Sequence, residues 1–373
     1  MENDKNKRNW IIAIIVVFIV VFGGGYLMTR NNNTNQNNNN GGTVKSQDNV
    51  KIVANTASQL ILEDYSTSEF SMKKPQGWKV ENGGTGMYYA IKVYDPNETN
   101  NQIFLMLKMQ PLLKSTAGKA FWQNYYKLSG NNSQYKVFAD AVVLEKPTTE
   151  EFYKKFDEIG SYMNSIESTL STFNFPKFSN FTKLEESDSK ASMKSVALDS
   201  KVLRATFTGD NGKQGEGMFM ASIVNFGNQY QGGTDMLYYM AYDIMSITSA
   251  KDEFIDYKDI SLQSANSIEF SDAYVKKTID DGNAQTKQAL ALSASIQAAF
   301  DSYMQAWENR QTTYDIMSQK QSDATLGYER VYNTDTGEIY KAYNGFTDDY
   351  KGETYKSVTD EMYTQKTSGY IEK

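Results

Sequence analysis

The chain has 373 residues, 40% hydrophobic and 13% aromatic, which is enough apolar surface for one or two packed units. Its formal charge of −7 repels phosphate backbones and argues against nucleic acid as a partner. Cysteine and histidine are both absent. That excludes disulfides, thiolate zinc sites, cysteine nucleophiles and lipid-modified cysteines, together with any catalytic arrangement in this chain that needs an imidazole.

Residues 1–9 carry Lys5, Lys7 and Arg8 and read as a cytoplasmic tail. Residues 10–28, WIIAIIVVFIVVFGGGYLM, hold no charge. A helix of that length spans about 28 Å, close to the ~30 Å hydrocarbon core of a bilayer. Only Arg30 follows closely, so the positive-inside bias keeps the N-terminus in the cytoplasm and sends the body out. A signal peptide cleaved near Gly23-Gly24-Gly25 is the competing reading, and it leaves the body on the same side. Residues 29–50 are Asn-rich with few apolar side chains, the composition of a disordered tether.

Residues 51–275 alternate strand and helix patterns, an α+β domain with an antiparallel sheet and packed helices. Glu69–Val80 predicts two short strands joined by a turn at Pro75–Gly77, and Met87–Tyr94 and Gln102–Gln110 predict two more. Helical spacing of Ala117, Phe121, Tyr125 and Leu128 predicts a helix over Ser115–Leu128, followed by a strand around Tyr135–Leu144. Thr148-Thr-Glu-Glu151 fits a capping box that opens a further helix. Strands are then expected over Met193–Leu198, Val202–Thr208, Gly217–Phe226 and Met236–Ile247, with a hairpin turn at Gly209–Gly212. A helix at Ala250–Ala265 and a strand at Ser267–Phe270 close the region.

Within the C-terminal module, 276–373, residues 280–373 hold 9 Lys/Arg against 15 Asp/Glu, a net −6, so most of the acidity lies here. A long helix is expected from Asp281 to about Gln319, with Ala289, Leu292, Ile296, Phe300, Tyr303, Trp307, Tyr314 and Met317 on one stripe. Beyond Gly327, Tyr328–Tyr332 and Glu338–Tyr343 predict a small β-hairpin module around Asn333–Gly337.

In the stretch FSMKKPQGWKVENG, Phe70, Pro75, Gly77 and Trp78 resemble the opening of PsbP/Mog1-like αβα modules. The resemblance reaches at most 51–275 and implies a fold and a binding role, without catalytic residues; it does not extend to 276–373.

Several motifs reduce to local structure. Ser71-Met-Lys-Lys74 has S-x-x-K spacing, but it lies in an expected strand and lacks the partner motifs. Gly83-Gly-Thr-Gly86 and Gly212–Gly217 precede strands rather than helix starts, so they read as turns rather than phosphate cradles. Asn333–Gly337 begins like a calcium loop, but position 12 is Asn344 instead of glutamate. No metal or cofactor is expected.

The distinctive feature is tyrosine, eight of them in residues 328–373. Tyr328, Tyr332, Tyr340 and Tyr343 are the candidate binding residues, because tyrosine offers rigid contact area and a hydroxyl. Core packing competes for the same side chains. Without histidine, hydrolysis would need paired carboxylates, and Glu329 and Glu338 are the catalytic candidates. The sequence therefore reads as a single-pass envelope protein of a bacterium, anchored through Trp10–Met28. It presents its body outside the cell to an envelope protein or a cell-wall glycan. A carboxylate-dependent cell-wall glycan hydrolase is the alternative.

Overall fold

The computed structural model describes residues 50–280, 301 and 313–373. The expected membrane helix, nearly all of the tether and the helix stripe from Ala289 to Trp307 lie outside the described residues. The same is true of the Tyr314 side chain. Among the described residues no helix is long and apolar enough to cross a membrane.

The chain is mixed α+β with antiparallel sheets. It opens with β1 (Ile52–Ala54), a single turn α1 (Thr56–Gln59), β2 (Leu62–Ser66), β3 (Phe70–Pro75), β4 (Lys79–Gly83), β5 (Ala90–Tyr94) and the long β6 (Gln102–Leu113). Next come α2 (Thr116–Leu128), α3 (Ser133–Asp140), β7 (Val142–Val143), α4 (Thr149–Lys154) and α5 (Phe156–Ile166). The following stretch contains β8 (Ser179–Asp188), β9 (Ala197–Thr208), β10 (Gln214–Asn225), the ribbon of β11 (Tyr230–Gln231) and β12 (Thr234–Asp235), and β13 (Tyr238–Ala250). It ends in α6 (Phe254–Asn266), β14 (Glu269–Phe270) and α7 (Asp272–Asp280). The last part has α8 (Thr313–Leu326), β15 (Tyr328–Asn333), β16 (Ile339–Tyr343), a short α9 (Phe346–Asp349), β17 (Tyr355–Ser357) and β18 (Gly369–Ile371).

The central sheet runs β4-β5-β6-β13-β10-β9-β8, with β7 added in parallel beside the end of β6. Both of its faces are covered, which is why β6, β10 and β13 read as nearly continuous apolar runs. On one face Phe104, Phe207 and Phe219 meet Phe152, Tyr153, Phe156 and Ile159 of α4 and α5. On the other, Ile103, Leu105, Met220 and Met245 meet α6 and the small sheet β14-β3-β2. The residues that carry the family resemblance sit in this second layer, where Phe70 and Trp78 are buried.

Local signals act as expected at several ends. Thr148 Oγ1 accepts from the Glu151 amide, and Ser115 Oγ accepts from Gly118, so each hydroxyl satisfies a donor in the first helical turn. Lys155 interrupts the expected helix and divides it into α4 and α5. Inside α4, Tyr153 sends its hydroxyl to the carbonyls of Met220 and Met245, 2.8 Å from each. The β10–β13 register shifts just there, between Met220 and Ser222.

Two expected strands take other forms. The segment around Tyr135–Leu144 is helix α3 followed by the two-residue β7. Asn132 caps the helix through the Gln134 amide, and Phe138 stacks on Trp122 at 4.6 Å, so its aromatic residues serve a helix–helix contact. Met193–Leu198 is largely turn. Buried Asp243 accepts from the Ser192 hydroxyl and the Met193 amide, and this capture takes the backbone out of the ladder until β9 starts at Ala197. The Pro75–Gly77 turn is present, with Gly77 at φ +83°, but it passes the chain from one sheet to another rather than closing a hairpin.

The expected hairpin is β15 and β16, paired antiparallel from Tyr328↔Tyr343 to Tyr332↔Ile339. Its sheet runs β1-β18-β16-β15-β17. Residues 52–54, expected with the first module, therefore complete the C-terminal sheet. Asp256 of α6 fastens this junction, accepting from Asn55 Nδ2 at 2.8 Å and from the Thr367 amide at 2.7 Å.

Candidate functional site: an aromatic cleft around Lys108

A cleft of about 960 Å³ opens beside the half-buried Lys108 and Gln110 of β6 and the neighbouring β13, between the loop of residues 84–89 and helix α7. Gly84 lets that loop close. Its φ is +90°, and a Cβ there would overlap the Tyr88 carbonyl. The closure brings Tyr88 and Tyr89 onto the cleft wall. From α7, Tyr274 packs against Tyr89 at 5.1 Å and stacks on Phe270 at 5.4 Å, while its hydroxyl donates to Gly86 O at 2.6 Å. Gln110 Nε2 donates to the Tyr88 hydroxyl at 2.7 Å. Tyr242 lies directly across the β6–β13 ladder from Lys108.

Lys108 is the only charged residue in the apolar run of β6. Its ammonium lies 4.8 Å from the centre of the Tyr88 ring. Among the described residues it has neither a carboxylate nor a hydrogen-bond partner. Burial alone holds its pKa below the ordinary lysine value of 10.5, because the charged form has lost water without gaining an acid. Lys92 on β5 and Lys114, just past the end of β6, are treated differently. Lys92 donates to Asn174 O at 2.9 Å, and Lys114 reaches Asp235 at 2.7 Å.

The surrounding tyrosines stay neutral. Burial pushes Tyr89 and Tyr242 up to about 12, and it raises Tyr88 and Tyr274 as well. They therefore offer ring faces and hydroxyls rather than charge. Glu69 and the exposed Lys277 also line the cleft. Two lysines against one glutamate leave it cationic, within a chain whose net charge is −7.

The residues singled out from the sequence sit elsewhere, on the C-terminal sheet. Tyr340 is buried in its core with Val331, Ala342, Phe346 and Tyr355. Tyr328, Tyr332 and Tyr343 are half-buried, with Tyr328 against Tyr370 at 5.7 Å and Tyr343 edge-on to Phe346. Glu329 accepts from the Thr347 amide at 2.6 Å. Glu338 accepts from the Tyr340 hydroxyl at 2.8 Å and from Thr336 at 3.0 Å. Glu329 is paired with Ala342, four residues along from Glu338, a backbone separation of about 13 Å at the usual strand rise. Buried Val331 and Tyr340 lie between them. Asn333 caps its own turn by accepting from the Asp335 and Thr336 amides. Ser71 is exposed on β3, and Lys74 is ion-paired with Glu63. Among the described residues no cluster of acidic side chains is arranged to hold a metal ion.

The cleft itself escaped sequence reasoning. The one available signal was a single lysine inside QIFLMLKMQPLL, where a solvated charge has no place on a strand buried on both faces. No protein-family model matches the chain. None of the curated proteins compared with it is a significant relative.

Proposed function

We propose that this chain is a membrane-anchored binding protein of a bacterial cell envelope, held by residues 10–28 and presenting its folded body outside the cytoplasm. The uncharged span behind three cations and the Asn-rich segment that follows support the anchor and its orientation. The observation that carries the binding role is the cleft. It joins aromatic walls to one ammonium without a carboxylate partner among the described residues. Hydrolysis by paired carboxylates has weaker support. Glycosidase carboxyls stand about 5–10 Å apart across a shared substrate, whereas Glu329 and Glu338 are each tied into the C-terminal sheet with core residues between them.

Proteolysis of intact cells followed by fractionation tests the topology. The expected result is a membrane-retained fragment, with the body digested from outside. A body protected in intact cells, or recovered wholly in the cytosol, would refute it. Loss of wall-degrading activity on substituting Glu329 or Glu338 would refute the binding-only role.

A further inference from the structure

We infer that the cleft takes a small organic anion, a carboxylate or sulfonate carried on a flat apolar body, with Lys108 as its charge partner. This rests on the reading of the chain as a binding protein and names the class of ligand.

The charge argument comes first. An ammonium partly removed from water and given no carboxylate is a standing cost to the fold, and sheets usually avoid it by placing an acid or a carbonyl nearby. Lys92 and Lys114 follow that pattern; Lys108 has only the face of Tyr88. A bound anion would supply the missing partner inside a partly dehydrated site, where a charge-assisted hydrogen bond is stronger than at the surface.

The shape argument is independent. Tyr88, Tyr242 and Tyr274 surround the volume with ring surface, joined by Phe226 and Met240, and a cleft of about 960 Å³ is in the range of small-molecule sites. An inorganic anion would leave those walls wet, while a neutral apolar molecule would leave Lys108 unpaired. Glu69 stays ionised, its pKa lowered mainly by the Ser68 hydroxyl, and disfavours ligands with a second negative charge on that side. The ligand is therefore a monoanion with a planar or apolar body.

The test uses full-length protein in neutral-detergent micelles. Equilibrium dialysis against empty micelles measures 2-naphthoate and its uncharged counterpart 2-naphthalenemethanol. Wild type should bind the carboxylate at least about tenfold more tightly than the alcohol, the worth of one charge-assisted contact. Lys108→Met should abolish that preference while leaving alcohol affinity within about twofold, and Lys108→Arg should keep it. A thermal melt of Lys108→Met at or above that of wild type verifies its fold, since the substitution removes a half-buried charge that has no carboxylate partner among the described residues. Preference for the carboxylate that survives in Lys108→Met would overturn the assignment. So would a cleft that binds neither compound, whatever cell proteolysis says of the anchored binding protein.

Discussion

Replacing Tyr153 with phenylalanine removes one oxygen from the centre of the fold and leaves the rest of the side chain in place. The ring stays stacked on Phe156 at 5.6 Å and Phe181 at 5.7 Å, and edge-on to Phe219 at 5.0 Å. What disappears is the donor shared by Met220 O and Met245 O, in a site with no access to water. One hydrogen bond is lost and a buried carbonyl is stranded, at a cost of about 1–3 kcal/mol. We expect Tyr153→Phe to lower unfolding free energy by about 2 kcal/mol in urea titrations followed by circular dichroism. Tyr153→Leu, which also loses the ring contacts, should cost about 3–5 kcal/mol. Tyr153→Phe within about 0.5 kcal/mol of wild type would refute the reasoning, because the carbonyls would then have found another donor.

Three further outcomes follow from the charges. Naphthoate affinity should fall as pH rises through the lowered pKa of Lys108, at a pH below 10.5; dialysis across pH 7–11 checks this. The groups facing Lys108 do not confuse the result, since Tyr88, Tyr89, Tyr242 and Tyr274 are all shifted upward, Glu69 is already ionised and Lys277 is exposed at the rim. At Asp243, burial raises the carboxyl pKa above 3.8, so the folded state binds this proton more tightly than the unfolded chain. Its contribution to stability therefore declines as pH rises from about 3.8 through the folded value. Asp243→Asn should flatten that slope in pH-dependent urea titrations. Asp243→Ala strands the Ser192, Ser222 and Met193 donors at a φ of +51° and should cost about 3 kcal/mol. Finally, Arg330 is buried against Asp323 at 2.6 Å and Gln319 at 2.7 Å, so Arg330→Leu should destabilise by about 3–5 kcal/mol. Hydrogen exchange should show the loss concentrated in β15 and α8, with naphthoate binding unchanged.

Elements with their own punctuation were legible in the sequence. The hairpin of β15 and β16 announced itself by alternating Tyr328–Tyr332 and a turn rich in Asn, Asp and Gly, while α8 runs on past the expected end near Gln319 to Leu326, before Gly327 at φ +82°. Elements whose form depends on distant partners were not. Strand β8 is an edge strand that buries Phe181 and little else, so it lacks an apolar pattern. Helix α3 looked like a strand because Tyr135, Val137 and Phe138 favour one locally, whereas the Asn132 cap and the contacts with Trp122 and Tyr125 on α2 favour the helix. The cleft was the least legible feature. Its walls come from residues 84–89, β6, β13 and α7, and nothing local tells a lysine without an acid from a lysine with one. The tyrosine density of residues 328–373 drew attention to a sheet that uses Tyr340 and Tyr355 mainly to fill its own core.

The pairing of β1 with β18 also has a mechanical side. Ile52 sits opposite Ile371, and Lys51 bonds to Glu372, 321 residues away. The ladder is antiparallel and only three pairs long, so a pull on residue 50 directed away from the sheet opens it one rung at a time, whereas a pull along β1 loads all three rungs together. Tension from the N-terminal side would reach Asn55 and its grip on Asp256 only after those rungs had parted. A load on the body from that side is thus met first by three rungs, while the sheet that carries Lys108 lies behind them.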